Sequence, residues 1–256
     1  QITTEKSNKG EKITYHTPVG DIYKENFTDT GRIVAPMHSV QASGLINDVN
    51  DYEPLIYMIN NTAFHLDLKE FILKEEDLGE DGVLHVIGGD PPFTESERLL
   101  GLEKWSYERY DHPRKFNELL KALGKRADRK LQKLADVDRQ MIVVMGDISD
   151  NVGPKQYLKY ALPYYENYFN LLRKNGKKCG IHAHASLLAR QKEVLAAIAP
   201  DFIESYTPPP YSDLPLEDLR RTVGDEVTIL INIPETIFYK GYQKTKDYTK
   251  ELLESD

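Results

Sequence analysis

Two histidines one residue apart, His182 and His184, form the pair in this chain with the clearest chemical potential. In a β-strand alternate side chains share a face, so both imidazoles project toward one centre. Two imidazole nitrogens with an added carboxylate or thiolate make a plausible zinc site that keeps one position open for substrate. The plainer reading packs one ring and hydrogen-bonds the other to a loop, and the surrounding residues weigh against it. Short apolar runs elsewhere end at Asp90, Asp147, Glu204 and Asn232, so five successive strand ends carry hydrogen-bonding or metal-ligating groups. Asp147 and Glu204 are candidates for a third ligand, for orienting a histidine, or for carrying a proton. Asn232 is a candidate for orienting substrate by hydrogen bonding. Each acid also has a structural alternative as a helix cap.

These residues need elements to hold them. Apolar runs at residues 83–87, 141–145, 179–183, 202–205 and 227–231 each precede a longer stretch of helical spacing, among them residues 112–137, 154–174, 187–199 and 216–223. This βα repetition predicts a parallel sheet buried on both faces and joined by right-handed crossovers, either doubly wound or closed. No glycine-rich phosphate loop follows any run, since Gly88-Gly89-Asp90-Pro91-Pro92 lacks the fingerprint spacing, and this favours the closed form. In a parallel barrel the working residues stand at the C-terminal strand ends, where the two histidines and the acids fall. Before residue 83, alternation about Pro18, Val19, Gly20 and Asp21 predicts a β-hairpin over residues 12–27, and residues 52–59 and 66–73 have the spacing of short helices.

Composition narrows the partners. The 256 residues are 40% hydrophobic and 29% charged, with a formal net charge of -8 spread along the chain, so one domain is expected and no basic face is available for nucleic acid. One cysteine, Cys179, excludes an internal disulfide framework and is expected in the core. No apolar run is long enough to span a bilayer, and a cytoplasmic setting is the expectation. The chain starts and stops abruptly, so a barrel incomplete at both ends is part of that expectation. Two further features have plainer readings: Thr207-Pro208-Pro209-Pro210-Tyr211 as a stiff routing loop, and the tyrosines 157, 160, 164, 165 and 168 as helix packing.

Several motifs together resemble one family. The stretch GDISDNVGPKQYLKYALPYY (146–165) looks like the part of the uroporphyrinogen decarboxylase superfamily in which a strand-end acid precedes a loop and a helix with a leucine-proline-tyrosine motif. NGKKCGIHAHASLL (175–188) and DFIESYTPPPYSDLPLEDLRRTVGDEVTILINIPETIF (201–238) are similar to its histidine-bearing strand, the strand that follows and its ending. YHTPVGDIYKE (15–25) resembles the hairpin of its methyltransferase-like branch. The resemblance implies an α/β fold, a (β/α)8 TIM-type barrel with an N-terminal β-hairpin. It implies methyl transfer between a small methyl donor or acceptor and a corrinoid carried on a partner protein, assisted by zinc. His182 then matches the first metal ligand, His184 stands where that branch has cysteine, and its last cysteine ligand has no counterpart up to Asp256. Asp147, Glu204 and Asn232 are assigned to catalysis, and Asp90 and Tyr206 to substrate binding. The decarboxylases' arginine-rich substrate-gripping segment has no counterpart in these residues, which weighs against decarboxylation. A metal-dependent hydrolase and a non-catalytic ligand-binding barrel are the rival readings.

Overall fold

The computed structural model describes residues 1–7, 10–27, 40–41 and 44–254, and the chain divides into two compact units. The first comprises Gln1–Phe64 with Pro92–Arg129, the second His65–Pro91 with Lys130–Asp256. No helix among the described residues is long and apolar enough to cross a membrane.

The first unit carries an antiparallel sheet. Strands β1 (Ile2–Ser7), β2 (Gly10–Thr17), β3 (Gly20–Phe27) and the two-residue β4 (Val40–Gln41) lie in that order. The hairpin expected at residues 12–27 is its central pair, with Thr17 opposite Gly20 across the turn. Thr17 closes this turn by donating its hydroxyl to the Gly20 carbonyl at 2.6 Å, while Gly20 supplies a positive φ of 132 that a side chain would resist. Helices Tyr52–Asn60, Pro92–Leu100 and Leu102–Asp111 bring Tyr52, Leu55, Phe93 and Trp105 into the core, and the Phe93 and Trp105 rings meet at 4.9 Å. A buried carboxylate, Glu108, accepts from the Tyr52 hydroxyl at 3.0 Å and from His112 Nδ1 at 2.8 Å. Those partners are what makes a buried carboxylate tolerable.

The second unit holds a five-stranded parallel sheet: β5 (His85–Gly89), β6 (Met141–Asp147), β7 (Lys177–His182), β8 (Phe202–Tyr206) and β9 (Thr228–Ile231), in sequential order. This corrects the expected (β/α)8 barrel. The sheet is open, with β5 and β9 as its edges and no pairing between them among the described residues. Closing a parallel sheet of this type takes eight strands at a matched tilt and shear, whereas five strands are parallel here and the amino-terminal ones form an antiparallel sheet. Apolar runs report buried strands and say nothing of closure.

Burial of both sheet faces is also corrected. Val143, Met145, Cys179, Ile181 and Ile203 on one face are at most 1% exposed. On the other face Ile87 is 62% exposed and Leu230 42% exposed. That second face is covered at its middle, where the Phe202 ring lies over Gly180 so closely that a Cβ there would meet it at 2.3 Å. The helix Leu162–Lys174 packs against β7 and contributes Tyr165, Tyr168, Phe169 and Leu172 to the core. It is entered through a single turn, Pro154–Gln156, and a five-residue π-helical segment, Tyr157–Ala161.

Candidate functional site

Parallel pairing puts three of the expected residues side by side. Asp147 is the register partner of His182, and His182 is the register partner of Glu204, so an acid, an imidazole and an acid stand in one row across the C-terminal ends of β6, β7 and β8. The backbone continues the row outward: Ile148 N–H donates to the His182 carbonyl and Ala183 N–H to the Glu204 carbonyl, each at 2.9 Å.

Within the row, His182 and Glu204 are joined. His182 Nδ1 and Glu204 Oε2 are 2.5 Å apart, and the Ser205 hydroxyl donates to Glu204 Oε1 at 2.6 Å. Partial burial pushes the Glu204 carboxyl up, but the hydrogen bonds from Ser205 and His182 and the positive charge of His182 outweigh it, so its pKa lies below the ordinary value of 4.5. An ionised carboxylate only accepts. The proton between the two groups therefore sits on His182 Nδ1, leaving Nε2 as the atom that can take or give a proton. His182 remains partly exposed, at 37% of its side chain. A hollow of about 450 Å³ on the open sheet face is lined by Val83, His85, Ile142, Phe202, Leu230 and Glu204 among others, so it reaches this carboxylate.

His184 is held differently. Its Nδ1 lies 3.2 Å from Thr207 Oγ1, whose own proton goes to the Ser205 carbonyl at 3.3 Å, and its ring stacks on Tyr211 at 4.3 Å. Burial, then the negative charges of Asp150, Asp147 and Glu235, push the Tyr211 phenol up, so this hydroxyl stays protonated beside the row.

The loops behind these residues are stitched together by two aspartates. Asp150 accepts from Ser186 N–H at 2.9 Å, from its hydroxyl at 2.7 Å and from Leu187 N–H at 2.9 Å, linking the loops after β6 and β7. Asp213 accepts from Ala189 N–H at 2.7 Å and donates its own N–H to the Ser186 carbonyl at 2.9 Å, adding the loop after β8.

The remaining expected residues are dispersed. Tyr206 is fully buried and spends its hydroxyl on the Leu214 carbonyl at 2.6 Å, so it is a core residue and not one facing the row. Asn232 is exposed, tied to the Tyr206 carbonyl through its backbone N–H at 2.7 Å. Asp90 follows β5 and is half-buried. Cys179 is buried in β7, as its position at the start of an apolar run implies.

Each histidine engages its Nδ1 within the protein, which leaves the two Nε2 atoms as the ring nitrogens open to a ligand. Their ring centroids are 6.2 Å apart, the Nδ1 of each is engaged by Glu204 or Thr207, and no three His, Cys, Asp or Glu side chains among the described residues are grouped to hold a metal ion. A zinc site takes three protein ligands at least. Alternation in the strand brought the two rings to the same end.

Sequence reasoning passes over Ser205 and Asp150, and reads Thr207 and Tyr211 as the ends of a stiff routing loop. Tyr211 was visible as the end of the proline loop, but nothing in a linear pattern signals that a loop tyrosine will stack on a strand-end histidine. No family model matches the chain, and comparison with curated proteins gives no match.

Proposed function

We propose that this chain is an enzyme whose chemistry is proton transfer by His182, with Glu204 holding the tautomer, in a methyl transfer between a small methylated compound and a corrinoid-carrying partner. The observation that carries the proton-transfer part is the 2.5 Å contact between His182 Nδ1 and Glu204 Oε2, which commits one ring nitrogen and frees the other. The methyl-transfer part rests on the resemblance of residues 15–25, 146–165, 175–188 and 201–238 to the methyltransferase-like branch. When a neutral ether or thioether gives its methyl group to the reduced corrinoid, the heteroatom keeps the electron pair of the broken bond and leaves as an anion that takes up a proton. His182 Nε2 supplies that proton, and Glu204 holds the ring through Nδ1 so that Nε2 faces outward. Asp147, on the other side of His182 in the row, is suited to orient the substrate. The Tyr211 phenol adds a neutral donor.

The test uses the full chain, a reduced corrinoid in solution as methyl acceptor, and a panel of methylated amines, phenyl ethers and thioethers. Transfer from one class is expected, with H182A slower by about 10²–10⁴-fold. No transfer from any of them, or an undiminished H182A, overturns the reading.

A second reading has a specific observation in its favour. Nδ1 of His182 is committed to Glu204, an arrangement that presents Nε2 as a positioned acid. Decarboxylation calls on such an acid: the carbon that loses carbon dioxide takes a proton from His182 Nε2. Carbon dioxide release from a porphyrinogen, without any methylated product, distinguishes it.

A further inference from the structure

The ends of β5, β6 and β8 leave the regular ladder in the same manner. Register irregularities fall between Ile87 and Gly89, between Val144 and Asp147, and between Ile203 and Tyr206. Each contains a residue at positive φ: Gly89 at 107, Gly146 at 67 and Ser205 at 61. Bulges of this kind re-aim side chains, and they gather beside functional sites.

The residue types differ in a telling way. Glycine enters the left-handed region freely, and Gly146 has a further reason to be glycine, because a Cβ would lie 2.1 Å from the Tyr165 hydroxyl. On β8 the same backbone job falls to a serine, for which that region is strained. Glycine would satisfy the backbone without strain. What glycine lacks is the hydroxyl, and that hydroxyl is bound to Glu204 Oε1, the oxygen opposite the one that His182 holds.

We infer that Ser205 is a positioning residue whose hydroxyl clamps the Glu204 carboxylate so that Oε2 faces His182 Nδ1, with local backbone strain retained for that purpose. This inference rests on the reading of His182 and Glu204 as the proton-carrying pair. Removing the hydroxyl leaves one carboxylate oxygen short of a donor and frees the group to turn about its terminal torsion, which loosens the hold on the imidazole. Ser205 itself touches neither His182 nor any reacting atom.

The tautomer of His182 reads the clamp directly. Long-range proton–nitrogen NMR correlations of the full chain labelled with ¹⁵N-histidine, taken where the rings are neutral, should report a proton on Nδ1 in the native protein. Ser205→Ala and Ser205→Gly are expected to shift the population toward the Nε2–H tautomer, while Ser205→Thr keeps it on Nδ1. Ser205→Gly and Ser205→Ala lose the same hydroxyl, but only the glycine relieves the strained φ, so Ser205→Gly should melt above Ser205→Ala while both lose the tautomer lock. A merely structural serine would leave the tautomer on Nδ1 in both variants. An unchanged tautomer in both Ser205→Ala and Ser205→Gly overturns the inference, as does a Ser205→Gly protein that melts no higher than Ser205→Ala. Glu204→Leu, which has no acceptor, separates the two levels: if it leaves the Nδ1 proton in place, the pair itself is wrong, and if it removes the proton while the Ser205 variants do not, only the role of Ser205 falls.

Discussion

At the scale of residues, the row Asp147, His182, Glu204 holds three of the candidates legible in the chain, because strand-end polarity is a linear pattern and parallel register converts it into proximity. What was not legible is which atoms meet. The H-x-H spacing brings two rings to one strand end, but it does not say that a carboxylate on the next strand takes Nδ1 of one and a hydroxyl in the following loop that of the other. The Glu204 interaction has a consequence for acid stability. A carboxyl whose folded pKa lies below its unfolded value contributes stability that is present above the unfolded value and lost as the pH falls through the folded one. Glu204 falls in this class, so its contribution fades below its ordinary value of 4.5. Glu204→Gln should therefore be less stable than the native chain at neutral pH and approach it as the pH drops through that range. Melting temperatures across a pH series check this, and a gap that widens on acidification would contradict it.

At the scale of elements, the five strand positions were readable within a residue or two, since each strand is an apolar run, whether buried as in β6 or half-exposed as in β5 and β9. Their ends were less so. Val83, expected inside the first run, lies outside β5 and is 71% exposed, whereas β6 extends past its apolar run to Asp147. The π-helical turn at Tyr157–Ala161 has no sequence signature of its own, yet Tyr157 works from it: its hydroxyl accepts from Ser149 N–H at 2.7 Å and donates to the Asp147 carbonyl at 3.1 Å. Asp150 holds the loops after β6 and β7 with three bonds to a carboxylate, and its pKa is lowered because the Ser186 hydroxyl and the amides of Leu187 and Ser186 outweigh burial. Replacing it with alanine strands those donors, and Asp150→Ala is expected to destabilise the protein by about 2–3 kcal/mol in denaturant titration. A change within experimental error would mean that the loops are held by other contacts.

At the scale of the whole molecule, each compact unit contains its own reporter. Trp105, the single tryptophan, is in the core of the first unit, and Cys179, the single cysteine, is in that of the second. Burial, reinforced by the nearby Asp201 charge, pushes the Cys179 thiol up to about 12. Thiol reagents at neutral pH should therefore leave the native protein unlabelled and react fully only on unfolding, with Asp150→Ala labelling faster than the native chain. Stoichiometric labelling of the native state would place Cys179 outside the core. The open sheet was the part of the architecture that the sequence could not convey, because the βα pattern is common to open and closed parallel sheets.

The sequential strand order also bears on how the molecule assembles. From β6 onward, each parallel strand finds its partner one βα unit back, so the sheet can grow by addition along the chain without a distant loop closure at each step. His182 arrives with β7 beside Asp147 already in place, but its carboxylate partner arrives only with β8. The His182–Glu204 contact thus needs the third strand of the row, and a nascent chain ending before Glu204 has the histidine but not its partner.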